Sequence, residues 1–253
     1  MQLQKLAFRG AAGATLSARL DLPDGGQPRA YALFAHCFTC NKNYKAIAGI
    51  SHALARTGIA VLRFDFTGLG ESEGDFADTN FSSNVEDLVA AADFLRGEYG
   101  EAPRLLIGHS LGGAAVLQAA ARIPSSRAVV TLAAPGDPSY LVRSLGRAAE
   151  TIEAQGEAEV TIGGQTFKIK KQFLDDLALV AMQTTIHNLN RALLVMHSPT
   201  DRVVDIDSAV RIFQAARYPK SFISLDGADH LLSERADAEY AAALIAAWVP
   251  KYL

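Results

Sequence analysis

Ser110 stands in the stretch "LLIGHSLGGAAVL", Leu105 to Leu117, where an apolar run breaks at Gly108-His109-Ser110-Leu111-Gly112 and then resumes. The pattern is G-x-S-x-G between a predicted buried strand and a predicted helix. On so sharp a turn the serine is pushed into strained backbone angles, small neighbours avoid clashes, and the hydroxyl stands clear of the chain. The bland alternative is a glycine-rich turn with a bystander serine. The flanking runs favour chemistry, because they put the turn at the carboxyl edge of a sheet, where open α/β sheets bind ligands.

A serine hydroxyl is a weak nucleophile until a base takes its proton and an acid orients that base. The chain order expected for such a turn is Ser, then Asp or Glu, then His. "HSPTDRVV" puts Asp201 in a loop after one predicted strand, and "GADHLLS" puts His230 in a loop after the last one. Asp137 is the best rival carboxylate, since it follows an earlier strand. Asp205, Asp226 and Asp229 read as surface or capping groups, His52 as a helix residue and His187 as part of an insertion. Acyl transfer also needs donors for a developing oxyanion. The backbone N–H of Leu111 is one, and the loop "AHCFTCNKN" supplies the other, read as the N–H of Phe38.

These residues need a scaffold, and strands alternate with helices along the chain. "KLAFRG" and "TLSARLDLP" read as an antiparallel pair around the turn "GAAGA". "AYALFAH", "IAVLRFD", "RLLIGH", "AVVTLAA", "ALLVMHS" and "SFISLDG" are short apolar runs typical of strands buried on both faces. Lys45 to Arg56 reads as a helix ended by Gly58. Ser83 with Glu86 reads as a capping box opening a helix through about Tyr99, with Gly100 and Pro103 as stops. The sum is an α/β fold: a mostly parallel eight-stranded sheet flanked by helices. With 253 residues, 49% hydrophobic and 20% charged, the even composition favours one domain over 1–253.

One segment breaks the alternation. About sixty residues separate the strand ending near Ala134 from the strand starting near Ala192, too many for a plain crossover. Within it "EAEVTI-GG-QTFKIK" alternates at period two around Gly163-Gly164, a two-residue hairpin signal. Pairing Ile162 with Gln165 sets Val160 opposite Phe167 and Ala158 opposite Ile169 on an apolar face. Glu159 then meets Lys168, and Glu157 meets Lys170, on a charged one. The segment, about 136–190, reads as an inserted cap containing a β-hairpin. Val160, Ile162, Phe167 and Ile169 would wall an apolar substrate pocket, completed by His36, Cys37 and His109. The alternative is that the hairpin braces the cap or packs on a second copy in a homodimer.

A net charge of -3 gives no basic surface for nucleic acid or anionic membrane. No apolar run approaches the ~20 residues that span a bilayer. "MQLQKLAFRG" lacks a signal-peptide pattern, so a cytoplasmic location is expected. Cys37 and Cys40 are too close together to staple a domain of this size. A single C-x-x-C also lacks two ligands of a structural zinc site, and no thioredoxin-like helix start follows it. The pair reads as two small buried thiols in a structural role, with a redox or metal role as the alternative. No cofactor and no metal are expected.

"LRFDFTGLGESEG" with "GHSLGG" resembles the α/β-hydrolase fold over essentially the whole chain. "AHCFTC", "TNFSSNVEDL" and "ADHLL" resemble the hydrolase half of bacterial bifunctional proteins that also carry an OsmC-like peroxide-reductase domain. The chain ends at "AAWVPKYL", where that half ends, which implies a free-standing version or a separated half. Many relatives have His-Gly where this chain has His36-Cys37. The cap layout is similar to that of cinnamoyl and feruloyl esterases. The resemblance implies a serine esterase acting on small esters with short or aromatic acyl groups. Thioesterase, peptidase and perhydrolase chemistry use the same three residues, and a regulatory module for an OsmC-like partner is the non-enzymatic alternative. Ser110 argues against a dehalogenase, since those use Asp as nucleophile.

Overall fold

The computed structural model describes residues 2–25, 27–38, 40–162 and 165–253. Its main sheet contains β1 (Gln2–Arg9), β2 (Thr15–Leu22), β3 (Ala30–Ala35), β4 (Ile59–Phe64), β5 (Leu105–His109), β6 (Ala128–Leu132), β9 (Ala192–His197) and β10 (Lys220–Ser224). The strand order is β1-β2-β4-β3-β5-β6-β9-β10. β2 runs antiparallel to both β1 and β4, and every other neighbour pair is parallel. The antiparallel pair and the six apolar runs of the sequence are these eight strands.

The central strands are apolar on both faces because both faces are covered. Leu33, Leu62 and Leu106 enter one core with α2 (Phe81–Tyr99) and α3 (Leu111–Ala119). Their neighbours Phe34, Val61 and Ile107 enter the other, with α1 (Lys45–Arg56) and α9 (Arg235–Trp248). Such burial contributes about 25 cal/mol per Å² of apolar surface. Parallel pairing sends the carboxyl ends of β3, β5, β6 and β9 to one edge, so the loops after them converge there.

The long insertion holds α4 (Tyr140–Leu145), α5 (Arg147–Gln155), the hairpin β7 (Glu157–Ile162) and β8 (Gln165–Lys170), α6 (Lys171–Ala178) and α7 (Met182–His187). α8 (Asp207–Ala215) follows β9. The hairpin register is the expected one: Ile162 faces Gln165, Val160 faces Phe167, and Ala158 faces Ile169. The expected turn at Gly163-Gly164 lies outside the described residues. Val160, Phe167 and Ile169 are buried, so the apolar face does cover something. The ion pairs are rearranged, however. Lys168 reaches diagonally to Glu157 at 2.9 Å, and Lys170 leaves the hairpin for Asp78 at 2.5 Å. Long lysine side chains reach past their opposite partners.

The start of α2 also differs from expectation. Asn80, not Ser83, is the N-cap: its side chain accepts the Ser83 N–H at 2.8 Å, while the Ser83 hydroxyl accepts the Asn80 N–H at 2.9 Å. Ser83 is therefore the third helical residue of the box. Glu86 pairs instead with the Arg122 guanidinium across the helix surface at 2.7 Å. Asn80→Ala should cost about 1 kcal/mol in urea unfolding. Glu86→Ala should stay within about 0.5 kcal/mol, since both partners are largely exposed. A larger loss at Glu86 than at Asn80 would restore the Ser83–Glu86 box.

Candidate active site

Ser110 joins β5 to α3 with φ 53 and ψ -125, a conformation L-residues rarely adopt. Two hydrogen bonds and two glycine contacts hold it there. Its N–H donates to the Leu132 carbonyl on β6 at 2.8 Å, and its own carbonyl accepts the Gly113 N–H at 2.8 Å. A Cβ on Gly108 would lie 2.2 Å from the Gly112 carbonyl oxygen, and one on Gly112 would lie 2.4 Å from that of His36. Only glycine fits at either place. The start of α3 is thereby pressed against the loop leaving β3.

His230, in the loop after β10, places Nε2 3.0 Å from Ser110 Oγ and Nδ1 2.8 Å from Asp201 Oδ2. With Nδ1–H donating to the carboxylate, Nε2 is the acceptor for the serine O–H. Asp201, in the loop after β9, is fixed in turn by the Val203 and Val204 N–H groups at 2.8 and 3.0 Å. All three side chains are buried. Burial pushes the Asp201 carboxyl up. The hydrogen bond and charge of His230 and the two amides outweigh this, holding it below the usual carboxylate range. The rivals lie elsewhere: Asp137 turns back on Ser139 at 2.7 Å, Asp205 accepts the Asp207 N–H, Asp226 contacts Ser224, and Asp229 accepts the Ser233 N–H. His52 lies 3.2 Å from Asp21, and His187 accepts from the Arg217 guanidinium.

Leu111 and Phe38 line one cavity, together with His36, Phe66, Leu69, Phe76, Phe81, Asn84, Gly112 and Ala115. The two residues read as oxyanion donors thus face a common space. Of the expected pocket residues only His36 lines it. Phe167 stands one layer behind, its ring 5.4 Å from Phe38 and 5.5 Å from Phe76. Val160 and Ile169 belong to the core beneath the hairpin, and Ile162 is only half-buried near its tip. Cys37 and His109 lie outside the lining as well. The hairpin reaches the site through Phe167, because its short strands place only that aromatic ring against the loop after β3.

The cysteines are not free thiols. Cys37 and Cys40 are joined as a disulfide, with Cα atoms 5.1 Å apart, which corrects the expectation of two buried thiols. With His109 they bring three donor atoms within 4.8 Å, but bonded sulfurs are not available as metal-ligating thiolates. His109 turns away from the cavity, and its Nε2–H donates to the His230 carbonyl at 2.7 Å.

Sequence reasoning missed two features. The Tyr140 hydroxyl, from the insertion, interacts with Ser110, and burial raises its pKa so that the phenol stays protonated. Lys42 is buried with Nζ 2.6 Å from Asp65, whose other carboxylate oxygen accepts the Lys42 N–H at 2.6 Å. The Lys42 carbonyl accepts from Arg63, which is paired with Asp21 at 2.7 Å. This network ties down the far end of the loop carrying Phe38. A carboxylate directly after the apolar strand, Asp65 in "RFDFTG", was the one available signal.

The family model described as "Alpha/beta hydrolase family" matches residues 32–243. The chain belongs to the alpha/beta hydrolase family. The crystal structure of the esterase domain from a Rhodothermus marinus protein matches the hydrolase at 53% identity and TM-score 0.83, covering 100% of this chain and 99% of that one. Est1E from Butyrivibrio proteoclasticus, with ferulic acid bound, has the same fold at TM-score 0.86 and 20% identity, covering 98% of each chain. A mitochondrial palmitoyl-protein thioesterase of Rattus norvegicus is 32% identical over 92 residues, which is 36% of this chain and 30% of that protein. No helix among the described residues of the hydrolase is long and apolar enough to cross a membrane.

Burial, with a smaller contribution from nearby His230, lowers the His109 pKa to about 3. On acidification the unfolded chain therefore binds this proton first, and stability falls as pH drops below the unfolded histidine value of 6.5. Between pH 7 and pH 5 this imidazole alone should remove about 2 kcal/mol. His109→Gln, which retains a donor toward the His230 carbonyl, should flatten that part of the profile in urea unfolding. An equal loss in variant and parent would place the cost on another group.

Proposed function

We propose that the hydrolase is a serine carboxylesterase that cleaves small esters with short or aromatic acyl groups through an acyl-enzyme. The observation carrying this reading is the hydrogen-bonded chain Asp201–His230–Ser110, ending on a serine in a strained turn. Ser110 Oγ attacks the ester carbonyl while His230 Nε2 takes its proton, and ionised Asp201 stabilises the imidazolium that forms. The Leu111 and Phe38 N–H groups receive the oxyanion. His230 then returns the proton to the leaving alkoxide, and water repeats the sequence on the acyl-enzyme. The protonated Tyr140 hydroxyl, beside Ser110, steadies the serine before attack and the leaving oxygen afterwards.

The acyl preference is supported by the apolar side chains beyond the two donors, Phe38, Phe66, Leu69, Phe76 and Phe81, which enclose about 10 Å³ and must part to admit an acyl group. The insertion acts as its cap through Phe167. Thioester cleavage is the second reading, favoured by the matched stretch of the rat thioesterase. Parallel p-nitrophenyl ester and acyl-thioester assays rank the two.

Ser110→Ala should lower p-nitrophenyl acetate hydrolysis by several orders of magnitude without unfolding the chain. Asp201→Asn should lose far more rate than Asp137→Asn, and Tyr140→Phe should lose about tenfold. A Ser110→Ala enzyme keeping more than about a tenth of the rate would remove this serine from the mechanism. Phe167→Ala should change the relative rates on acetyl and benzoyl esters. An unchanged ranking together with a lost dimer in sedimentation would assign the hairpin to a subunit interface instead.

A further inference from the structure

We propose that Cys37 and Cys40 form a redox site that sets the rate of ester hydrolysis: the disulfide holds the oxyanion loop in its working geometry, and reduction to the dithiol loosens it. The proposal rests on the serine-esterase reading. Its first ground is position. Cys37 directly precedes Phe38, the candidate oxyanion donor, and Cys40 follows two residues after it. The Cys37 carbonyl accepts the Cys40 N–H at 3.1 Å and the His36 Nδ1–H at 2.7 Å. The disulfide adds a covalent tie across the same turn. Further along, Lys42 anchors the loop to Asp65 through both backbone and side chain. The sulfur–sulfur bond is thus the middle clamp of a loop already held at both ends.

The second ground is what the sulfurs face. A ring nitrogen of His109 lies within 4.8 Å of both sulfur atoms, and its buried Nδ1 has no hydrogen-bond partner among the described residues. The opposite ring nitrogen is committed to the His230 carbonyl. A disulfide has no hydrogen to donate, whereas a thiol has one. Reduction therefore creates S–H donors beside a ring whose buried Nδ1 acceptor lacks one, and the two sulfurs move apart as the bond between them is lost. Both displacements bear on the machinery: one on the Phe38 N–H, the other, through His109, on the loop carrying His230. Of the cavity lining only His36 and Phe38 belong to this loop, while Phe66, Leu69, Phe76 and Phe81 lie outside it, so turnover responds more than substrate affinity.

The exchange balances with an external thiol as the two-electron reductant. Cys40 is the less buried residue of the pair, at 8% exposure against 3% for Cys37, and is assigned as the sulfur attacked. A reductant thiolate bonds to Cys40, and Cys37 leaves as a thiolate that takes the proton lost by the reductant. A second reductant thiol displaces Cys40, which is protonated in turn, and the reductant leaves as its own disulfide.

The test compares one protein preparation in two states. The oxidised form takes up no iodoacetamide under denaturing conditions. The dithiothreitol-reduced form, desalted without air, takes up two adducts by mass. With p-nitrophenyl acetate, kcat of the reduced form should fall about threefold to thirtyfold, below the 10²–10³ lost when an oxyanion donor is removed outright. KM should stay within about twofold, and kcat should return on reoxidation with diamide. Cys37→Ser and Cys40→Ser should turn over at the reduced parent's rate in either buffer. Reduced protein with two adducts and unchanged kcat overturns the proposal, as does a folded protein whose disulfide resists dithiothreitol. Failure of the esterase reading has a different signature: neither redox form hydrolyses the ester, or Ser110→Ala leaves the rate intact in both.

Discussion

The architecture of this hydrolase depends on keeping Ser110 at a positive φ. A non-glycine residue in such a conformation costs on the order of 1–3 kcal/mol and persists only where its surroundings over-determine it. Here the surroundings are the centre of the sheet. β5 lies between β3 and β6, so the turn after it is gripped by the Leu132 carbonyl on one side and by the Ala35 and His36 carbonyls on the other. Gly108 and Gly112 are demanded by that grip, because the same contacts leave no room for a Cβ. The apolar double-sided strands keep the grip rigid. A serine at the sheet edge would not be held in this way.

Burial does the electrostatic work around that serine. His36, His109 and His197 all have lowered pKa values, and burial is the largest cause for each. They stand near the site as neutral rings that fix geometry: His36 on the Cys37 carbonyl in the loop after β3, His109 on the His230 carbonyl, and His197 on the Val204 carbonyl at 2.8 Å. Asp201 is the opposite case. It is buried too, yet it stays ionised because amides and an imidazole are aimed at it. A buried carboxylate without those partners would protonate.

The buried ions Lys42, Asp65, Arg63 and Asp21 show what holds the candidate site's loop away from the serine. Buried ion pairs add little to stability compared with apolar packing. These pairs hold backbone instead, since Lys42 offers both its N–H and its carbonyl to the network. The loop after β3 has no regular structure to define it, and charge-assisted hydrogen bonds fix its far end.

Local and ordered signals were legible in the sequence itself. G-x-S-x-G, the Ser-Asp-His order and the apolar runs specified the strand ends and the three residues that meet there. Period-two alternation specified the hairpin register, because a one-residue slip would turn Val160, Phe167 and Ile169 outward. Features set by distance through space were not legible. Tyr140 reaches Ser110 from the insertion, Lys42 finds Asp65, and Lys170 finds Asp78, with no spacing to announce them. The capping box shifted because Asn and Ser both cap well, and only the path of the incoming chain chose between them. Cys37 and Cys40 look alike in the sequence whether bonded or free. The fold decided the matter by bringing their Cα atoms to 5.1 Å in the turn that holds Phe38, a distance that no one-dimensional pattern encodes.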